Sequence, residues 1–189
     1  MKVEIACVID RSGSMSSIRS DAIGGFNTFL AEQKSVPGEA TLTLVLFDHE
    51  YIEQFKSIPI KDVSDLTNES YVPRGNTALY DAIGRTVDSV GARLDRMKDK
   101  PEKVIVLILT DGEENASQEY TASRVAEMIK HQQDKYGWEF VFIAANQDAF
   151  LSGSKLNIKA CNTVNFAANS FGTSQAYANM SNMTRGYRT

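Results

Sequence analysis

Apolar runs of strand length alternate along the chain with stretches in which apolar residues recur every three to four positions. Nearly continuous apolar runs, typical of strands buried on both faces, are "VEIACVI" (3–9), "ATLTLVLFD" (40–48), "KVIVLILT" (103–110) and "WEFVFIAA" (138–145). Helical spacing predicts helices over 17–35, 77–98 and 121–136. Strands that alternate with helices in this way predict an α/β fold, with a mostly parallel sheet covered by helices on both faces.

One strand is expected to run against the others. "YIEQFKSIPI" (51–60) follows the second strand after only two residues, which predicts a hairpin and an antiparallel edge strand that ends near Pro59. A long polar and turn-rich connection, 62–76, then leads to the second helix.

The pattern weakens beyond Gln147. "DAFLSGSKLNI" predicts a short helix, "CNTVNFA" a short last strand, and residues 166–189 a C-terminal amphipathic helix or a frayed tail. We find no internal repeat and no linker in the sequence. We therefore expect a single domain over residues 1–189 with its core in residues 3–165.

Composition and charge narrow the class of protein. The chain has 189 residues, 42% hydrophobic and 23% charged, which is ordinary for a soluble globular protein. A net charge of −4 without basic clusters argues against nucleic acid, and the longest apolar run, "VIVLIL", is too short to span a membrane. Cys7 and Cys161 lie in apolar surroundings and predict buried thiols rather than a disulfide. With no leader expected before "MKVEIACVID", we predict a cytoplasmic protein.

Side chains that could bind a ligand lie at the ends of two predicted strands and at the start of a predicted helix. Asp10 closes the first strand within an Asp-x-Ser-x-Ser pattern that includes Ser12 and Ser14, and Asp111 closes the strand 103–110. Thr77 stands at a loop-to-helix boundary in "RGNTALYDAI". Ligands of parallel sheets bind at the carboxyl ends of the strands, so these oxygen-bearing groups are expected to converge there. They are hard ligands, which suit Mg²⁺, Mn²⁺ or Ca²⁺ better than zinc.

Several alternatives stay open at this point. Ser, Thr and Asp are preferred helix N-caps, so the pattern and Thr77 could serve only as caps. "SGSMSS" could hold a phosphate at a helix N-terminus. A bound metal could also activate water for hydrolysis. A nucleophilic serine would need a positioned base, and neither His49 nor His131 is placed for that role or has zinc spacing.

The combined pattern resembles the von Willebrand factor type A (VWA) domain family, whose metal-ion-dependent adhesion site is written Asp-x-Ser-x-Ser, then a distant Thr, then a distant Asp. "VIDRSGSMSS", "GNTALYDAI" and "LILTDGEEN" look like bacterial and phage members of the family. The resemblance covers about residues 3–145 and implies a three-layer α/β/α Rossmann-like fold with strand order 3-2-1-4-5-6. All five motif positions match: Asp10, Ser12, Ser14, Thr77 and Asp111.

The resemblance also implies roles for these residues. The hydroxyls of Ser12, Ser14 and Thr77 would bind the metal, and Asp10 and Asp111 would act largely through bound waters and hydrogen bonds to the serines. Because hydroxyls are neutral ligands, the metal, Mg²⁺ in the first instance, would keep enough charge to attract a Glu or Asp carboxylate of a partner protein. The expected function is therefore metal-dependent protein binding and not catalysis, with a metal-dependent hydrolase or a phosphate-binding protein as the alternative.

Five nearby residues carry less specific expectations. Tyr71 and Arg74 lie in the connection before Thr77, where contact with a partner is one interpretation. Glu113 and Glu114 flank Asp111 and are expected in a solvated loop. Asp81 is predicted to be a surface residue of the second helix, near the site.

Overall fold

The computed structural model describes residues 1–146 and 148–189 and contains a six-stranded sheet. The strands are β1 (Lys2–Asp10), β2 (Glu39–Phe47), β3 (Tyr51–Pro59), β4 (Lys103–Thr110), β5 (Glu139–Ala144) and β6 (Thr163–Asn165). Their order across the sheet is β3-β2-β1-β4-β5-β6, and only β3 runs antiparallel to its neighbour. The mostly parallel sheet with one antiparallel edge strand, and the strand order implied by the resemblance, are thereby confirmed.

Helices cover both faces of this sheet. They are α1 (Arg19–Ser35), α2 (Leu79–Arg96), α3 (Ala122–Tyr136), α4 (Ala149–Lys155) and α5 (Ser170–Arg188). A 3₁₀ turn over Gly13–Ile18 precedes α1, so this helix begins two residues later than its apolar spacing predicts. In the described part of the chain, none of the helices has the length and apolar character needed to cross a membrane.

Strand β1 lies in the middle of the sheet and contributes to both cores. Val3, Ile5, Cys7 and Ile9 pack on one face with α1 and α5, whereas Ala6 and Val8 pack on the other with α2 and α3. Burial on both faces explains why the strand reads as a nearly continuous apolar run. Each large apolar side chain buried in this way contributes about 1.5–3 kcal/mol of transfer free energy.

The C-terminal segment is a packed helix rather than a frayed tail. Ala176, Tyr177 and Met180 of α5 belong to the core beside α1, so the core extends beyond the predicted limit of residue 165. At the end of the helix, Arg188 is buried and donates through Nη1 to Gln33 O at 2.7 Å. The sequence concealed this packing because α5 is rich in small and polar residues, some of which are buried against α1.

The prediction for the cysteines is half wrong. Cys7 is buried within β1, but Cys161 is exposed, and both thiols are free. Cys161 lies in a 3₁₀ turn just before the three-residue strand β6, too short an element to cover it.

The parallel strands all end at one edge of the sheet, called here the carboxyl edge. Asp10 is the last residue of β1, and Asp111 directly follows β4, its neighbour in the sheet. Tertiary pairing therefore places two carboxylates side by side that are 101 residues apart in the chain.

Candidate metal centre

The first part of the centre is a tight turn at the end of β1. Asp10 is fully buried, and its Oδ1 accepts a hydrogen bond from Ser12 N at 2.6 Å. Its Oδ2 accepts from Thr110 Oγ1, also at 2.6 Å. Each oxygen of this carboxylate is thus held by one donor, and the turn presents the Ser12 and Ser14 hydroxyls together, 3.2 Å apart.

The second part comes from the segment after β4. Ser14 Oγ donates to Asp111 Oδ1 at 2.6 Å, so the two sequence-distant motif residues are in direct contact. The backbone at Asp111 is itself fixed, because its carbonyl accepts a hydrogen bond from Asn146 Nδ2 at 2.8 Å. The serine bond that the resemblance implies is therefore present for Asp111. Asp10 interacts with Ser12 through both the backbone N–H and the side chain of that serine.

Thr77 reaches the same place from a third segment. A Cβ atom built on Gly112 would lie 3.5 Å from Thr77 Oγ1 and 3.7 Å from Ser14 Oγ, so both hydroxyls border the space beside this glycine. The backbone of Thr77 is held by Asn115, which accepts from Thr77 N at 2.8 Å and donates its own N–H to Thr77 O at 3.0 Å. All five predicted residues converge at the carboxyl edge.

The helix-cap alternative does not account for these side chains. The N-cap residue of α2 is Ala78, and Thr77 makes no cap hydrogen bond there. Ser12 occupies the N-cap position of the 3₁₀ turn, but its side chain makes no cap bond either. The Ser12 and Ser14 hydroxyls instead contact each other, and the Thr77 hydroxyl borders the same space beside Gly112 as Ser14 does.

The two carboxylates of the centre, Asp10 and Asp111, lie in surroundings that raise their pKa values. Burial raises the pKa of Asp10 from 3.8 to about 6, against the opposing effect of its hydrogen bonds from Thr110 and Ser12. Burial likewise raises the pKa of Asp111, while the Ser14 hydrogen bond lowers it. Among the described residues, 1–146 and 148–189, no Lys, Arg or His forms an ion pair with either carboxylate. Negative charge is therefore buried here without a protein counter-charge, which is costly unless a cation compensates it.

The donor set fits a hard divalent cation. Three hydroxyl and two carboxylate side chains offer only oxygen, as Mg²⁺, Mn²⁺ and Ca²⁺ prefer. Within the described part of the chain no three His, Cys, Asp or Glu side chains form a metal-binding group, because most ligands here would be hydroxyls. The glycine at 112 leaves the space between Ser14 and Thr77 free of a side chain.

Three residues that support the centre were not predicted. Thr110 donates to Asp10, and Asn146, in a left-handed conformation with φ of 57°, donates to Asp111 O. Asn115 holds Thr77, as described above. Thr110 stands next to Asp111 in "LTDGEEN", a position that could have attracted attention, but the other two act through contacts that no spacing encodes.

Two neighbouring residues differ from expectation. Tyr71 is fully buried and donates through its hydroxyl to Asp10 O at 2.6 Å, so it supports the turn and is not available to a partner. Asp81 is buried rather than at the surface, because its carboxylate accepts backbone N–H groups of residues 118–120. Arg74 is exposed and pairs with Asp48 and Glu50.

The two glutamates after Asp111 also differ from each other. Glu113 is exposed, as expected of a solvated loop. Glu114 instead accepts hydrogen bonds from Tyr80 N and Ser117 N, which tie this loop to the start of α2.

Known structures share this architecture. The chain matches proximal thread matrix protein 1 of the mussel byssus with a TM-score of 0.66 and 17% identity, over 97% of this chain and 46% of that one. It matches a mutant of the PilB minor pilin from Streptococcus sanguinis with a TM-score of 0.64 and 12% identity, over 98% and 62% of the two chains. Our chain thus spans about half the length of the mussel protein. At these identities the likeness shows the fold alone.

Two further structures with this fold contain a metal. The manganese-loaded TRAP protein of Plasmodium vivax matches with a TM-score of 0.62 and 17% identity, over 93% of this chain and 71% of that one. The mussel protein is also known with zinc in its metal-ion-dependent adhesion site.

Two sequence comparisons gave different results. Among proteins with curated descriptions, none matches the chain. The family profile of the von Willebrand factor type A domain, however, matches residues 4–180, which is nearly the whole chain. The chain belongs to the von Willebrand factor type A domain family.

Proposed function

We propose that this protein is a metal-dependent protein-binding module. Ser12, Ser14 and Thr77 would hold a divalent cation through their hydroxyls, with Mg²⁺ as the first candidate and Mn²⁺ or Ca²⁺ as others. Asp10 and Asp111 would supply negative charge from just behind them. One observation carries the proposal: two buried carboxylates, with no counter-charge from the residues that the structure describes, stand directly behind the hydroxyls of Ser12 and Ser14.

The metal would act as a Lewis acid with a position open to an anionic oxygen. The chain's own residues would orient it, because the Asp111 carboxylate holds Ser14 and the Asp10 carboxylate holds the turn that carries Ser12. The metal-loaded neighbours, TRAP and the mussel thread protein, support a divalent cation at this position of the fold. We infer that a Glu or Asp side chain of a partner protein is the anion captured.

The distribution of exposed apolar side chains supports a protein partner. Of the six large apolar side chains that are exposed among the described residues, four stand in segments at the carboxyl edge: Val72, Phe150, Leu151 and Phe171. Val72 follows the Tyr71 that bonds Asp10, and the other three lie in the first turns of α4 and α5. Exposed apolar groups near one site are characteristic of surfaces that contact other proteins.

The hydrolase alternative has less support. Histidine is the most frequent general base, and the carboxylates in reach of the serines, Asp10 and Asp111, are the groups that the proposed cation would compensate. His49 instead lies 3.4 Å from Asp48, and His131 packs against Tyr136 at the end of α3. We therefore propose that the protein is not an enzyme.

A binding experiment tests the proposal. Mn²⁺ titration by electron paramagnetic resonance is expected to show one ion per wild-type chain. The Asp10→Asn, Asp111→Asn double variant should bind at least about 10-fold more weakly, the size of loss typical of residues that support metal ligands. Glu113→Gln, an exposed acid two residues from Asp111, is the matched control and should bind normally. Equal affinity in the double variant and the wild type would overturn the metal centre.

A second measurement addresses what the metal captures. N-acetyl-glutamate amide should displace a water from the bound Mn²⁺, as seen by proton relaxation, and its glutamine counterpart should not. Multiple turnover of p-nitrophenyl phosphate that disappears in the double variant would instead establish a hydrolase.

A further inference from the structure

A single buried carboxylate beside the centre contacts both segments that supply the hydroxyls. Asp48 directly follows β2 and is fully buried. Its Oδ2 accepts from Arg74 Nε at 3.0 Å and lies 3.1 Å from Arg11 Nε. Its backbone carbonyl accepts from Ala78 N at 2.9 Å. The residue after Asp10 and the residue after Thr77 are thus both in contact with Asp48.

The contact with Arg11 fixes the serine turn. Arg11 stands between Asp10 and Ser12, is 7% exposed, and lies against Asp48 as an ion pair without a hydrogen bond from its Nε. Its backbone N–H donates to Phe47 O at 2.7 Å, at the end of β2. A buried guanidinium needs a nearby counter-charge, and Asp48 is its partner among the described residues.

The contact with Arg74 fixes the threonine segment. Arg74 also pairs with Glu50, and its backbone N–H donates to Arg11 O at 2.8 Å. Next to it, Gly75 has φ of +66° and its carbonyl accepts from Gly13 N at 3.0 Å. A side chain at Gly75 would collide with the ring of His49, because a Cβ there would lie 2.1 Å from His49 Nδ1. The turn after β2 therefore packs closely on the backbone that leads to Thr77.

We propose that Asp48 is a positioning residue that sets the placement of the Thr77 hydroxyl relative to Ser12 and Ser14. The inference rests on the proposed function, because it concerns the same metal. It adds that the turn between β2 and β3, which supplies none of the metal's ligands, determines how completely the protein surrounds the ion. When Asp48 releases the Arg74 side chain, the Thr77 segment keeps its Asn115 bonds and its backbone bonds to the serine turn but loses the side-chain ion pair that holds it against Asp48. The Thr77 hydroxyl would then stand further from the serines, and a water would take its place on the metal.

A merely structural ion pair would behave differently. It would change the free energy of unfolding without changing what surrounds the bound ion. The number of waters on bound Mn²⁺, measured by proton relaxation, separates the two cases because it reports the ligands directly. A double-mutant cycle with Thr77→Ala then shows whether the effect passes through the threonine.

Two variants test the proposal. Asp48→Asn removes both ion pairs. Arg74→Gln removes the Arg74 ion pairs with Asp48 and Glu50 and keeps the buried Asp48–Arg11 pair, so this variant folds even if the first does not; the Arg74 side chain is 46% exposed. Each folded variant should add about one water to bound Mn²⁺ and weaken binding by up to about 10-fold. Arg124→Gln, an exposed arginine that pairs with Glu127 on α3, is the control and should change neither quantity.

The cycle decides the outcome. In the Thr77→Ala background, Arg74→Gln should add no further water and no further loss of affinity. If the two substitutions act additively, or if Arg74→Gln leaves the water count unchanged, the positioning role is overturned while the metal centre stands. If the wild-type protein binds no Mn²⁺, the proposed function is overturned and this inference with it.

Discussion

Strand β1 carries two buried carboxylates six residues apart, and their surroundings are opposite in kind. Glu4 is paired with Arg93 Nη2 at 2.9 Å and accepts hydrogen bonds from the hydroxyls of Thr41, Thr43 and Ser57. Asp10 accepts from neutral donors of Ser12 and Thr110 and has the second acid, Asp111, nearby. One cluster contains its own positive charge, whereas the other contains two negative charges and no protein cation within ion-pair distance among the described residues.

This difference shows how a buried acid can be recognised as structural or functional. A carboxylate whose oxygens are both saturated and whose charge is matched has no capacity left for a ligand. A pair of carboxylates held by neutral donors at an open edge can be compensated only from outside. The distinction lies in the partners of each acid and not in its depth, since Glu4 and Asp10 are both fully or almost fully buried.

The largest expected effect comes from breaking the cluster in which Glu4 is paired with Arg93. Glu4→Gln should lower the free energy of unfolding by about 3–5 kcal/mol, because Arg93 is left without its counter-charge. Urea denaturation measures this loss, and Glu102→Gln, an exposed acid just before β4 and beside the start of β1, should stay within about 0.5 kcal/mol. Mn²⁺ affinity of the folded Glu4→Gln protein should match the wild type. A large loss of affinity would show that the two clusters are coupled.

The next effect is the pH dependence of stability that arises from Asp10, in the cluster with Asp111. The folded, metal-free protein holds the Asp10 proton more tightly than the unfolded chain does, since burial raises the pKa of this carboxyl from 3.8 to about 6. Its contribution to stability is therefore complete below pH 3.8 and is lost as the pH rises through 6. Two pKa units correspond to about 3 kcal/mol. Asp10→Asn lacks the titrating group, so the difference between wild type and variant isolates its contribution.

Metal should reverse this trend. A cation binds the ionised centre, so Mn²⁺ affinity should rise with pH up to about 6 and level off above it. Saturating Mn²⁺ should restore at pH 7 the stability that the metal-free protein loses. Affinity that stays constant between pH 5 and pH 7 would contradict the assignment of Asp10 to the centre.

A smaller effect is expected from filling the space beside Gly112. An added Cβ would make ordinary van der Waals contacts of 3.5 Å and 3.7 Å with Thr77 Oγ1 and Ser14 Oγ, so Gly112→Ala should keep Mn²⁺ affinity within about 3-fold. Gly112→Val adds two carbons beyond that point and should weaken Mn²⁺ binding by about 10-fold without unfolding the protein. Calorimetric titration of the two variants measures the contrast. Equal binding by both would place the ion away from the space between Ser14 and Thr77.

Comparison of the two halves of the chain shows where sequence reasoning succeeded. Strands β1, β2, β4 and β5 are buried on both faces, so their apolar runs were visible, and β4 was predicted with its observed limits. The helix α5 was ambiguous, because the residues that it buries include Thr173, Ser181 and Arg188. Such residues look like surface positions in a sequence. Ser181 and Arg188 are buried here through contacts with α1, 148 to 155 residues away.

The candidate centre also contains residues that the sequence identifies and residues that only the structure reveals. Asp10, Ser12, Ser14, Thr77 and Asp111 were found from the sequence because strand ends and a known motif mark them. The burial of Asp81 and the structural role of Tyr71 are not visible in the sequence because their partners, the backbone of residues 118–120 and the carbonyl of Asp10, come from remote segments. Asp48 was not noticed at all, since a lone acid after a strand has no distinguishing pattern.

The sequence by itself determined the alternation of strands and helices, the edge at which the strands end and the types of side chain placed there. These properties depend on local periodicity and on residue chemistry, which the order of residues contains directly. Only the tertiary structure decided which acids are matched by a cation, which hydroxyls face one another and which turn braces the threonine. Those outcomes depend on distances between segments tens of residues apart, and such distances are fixed by packing of the whole domain.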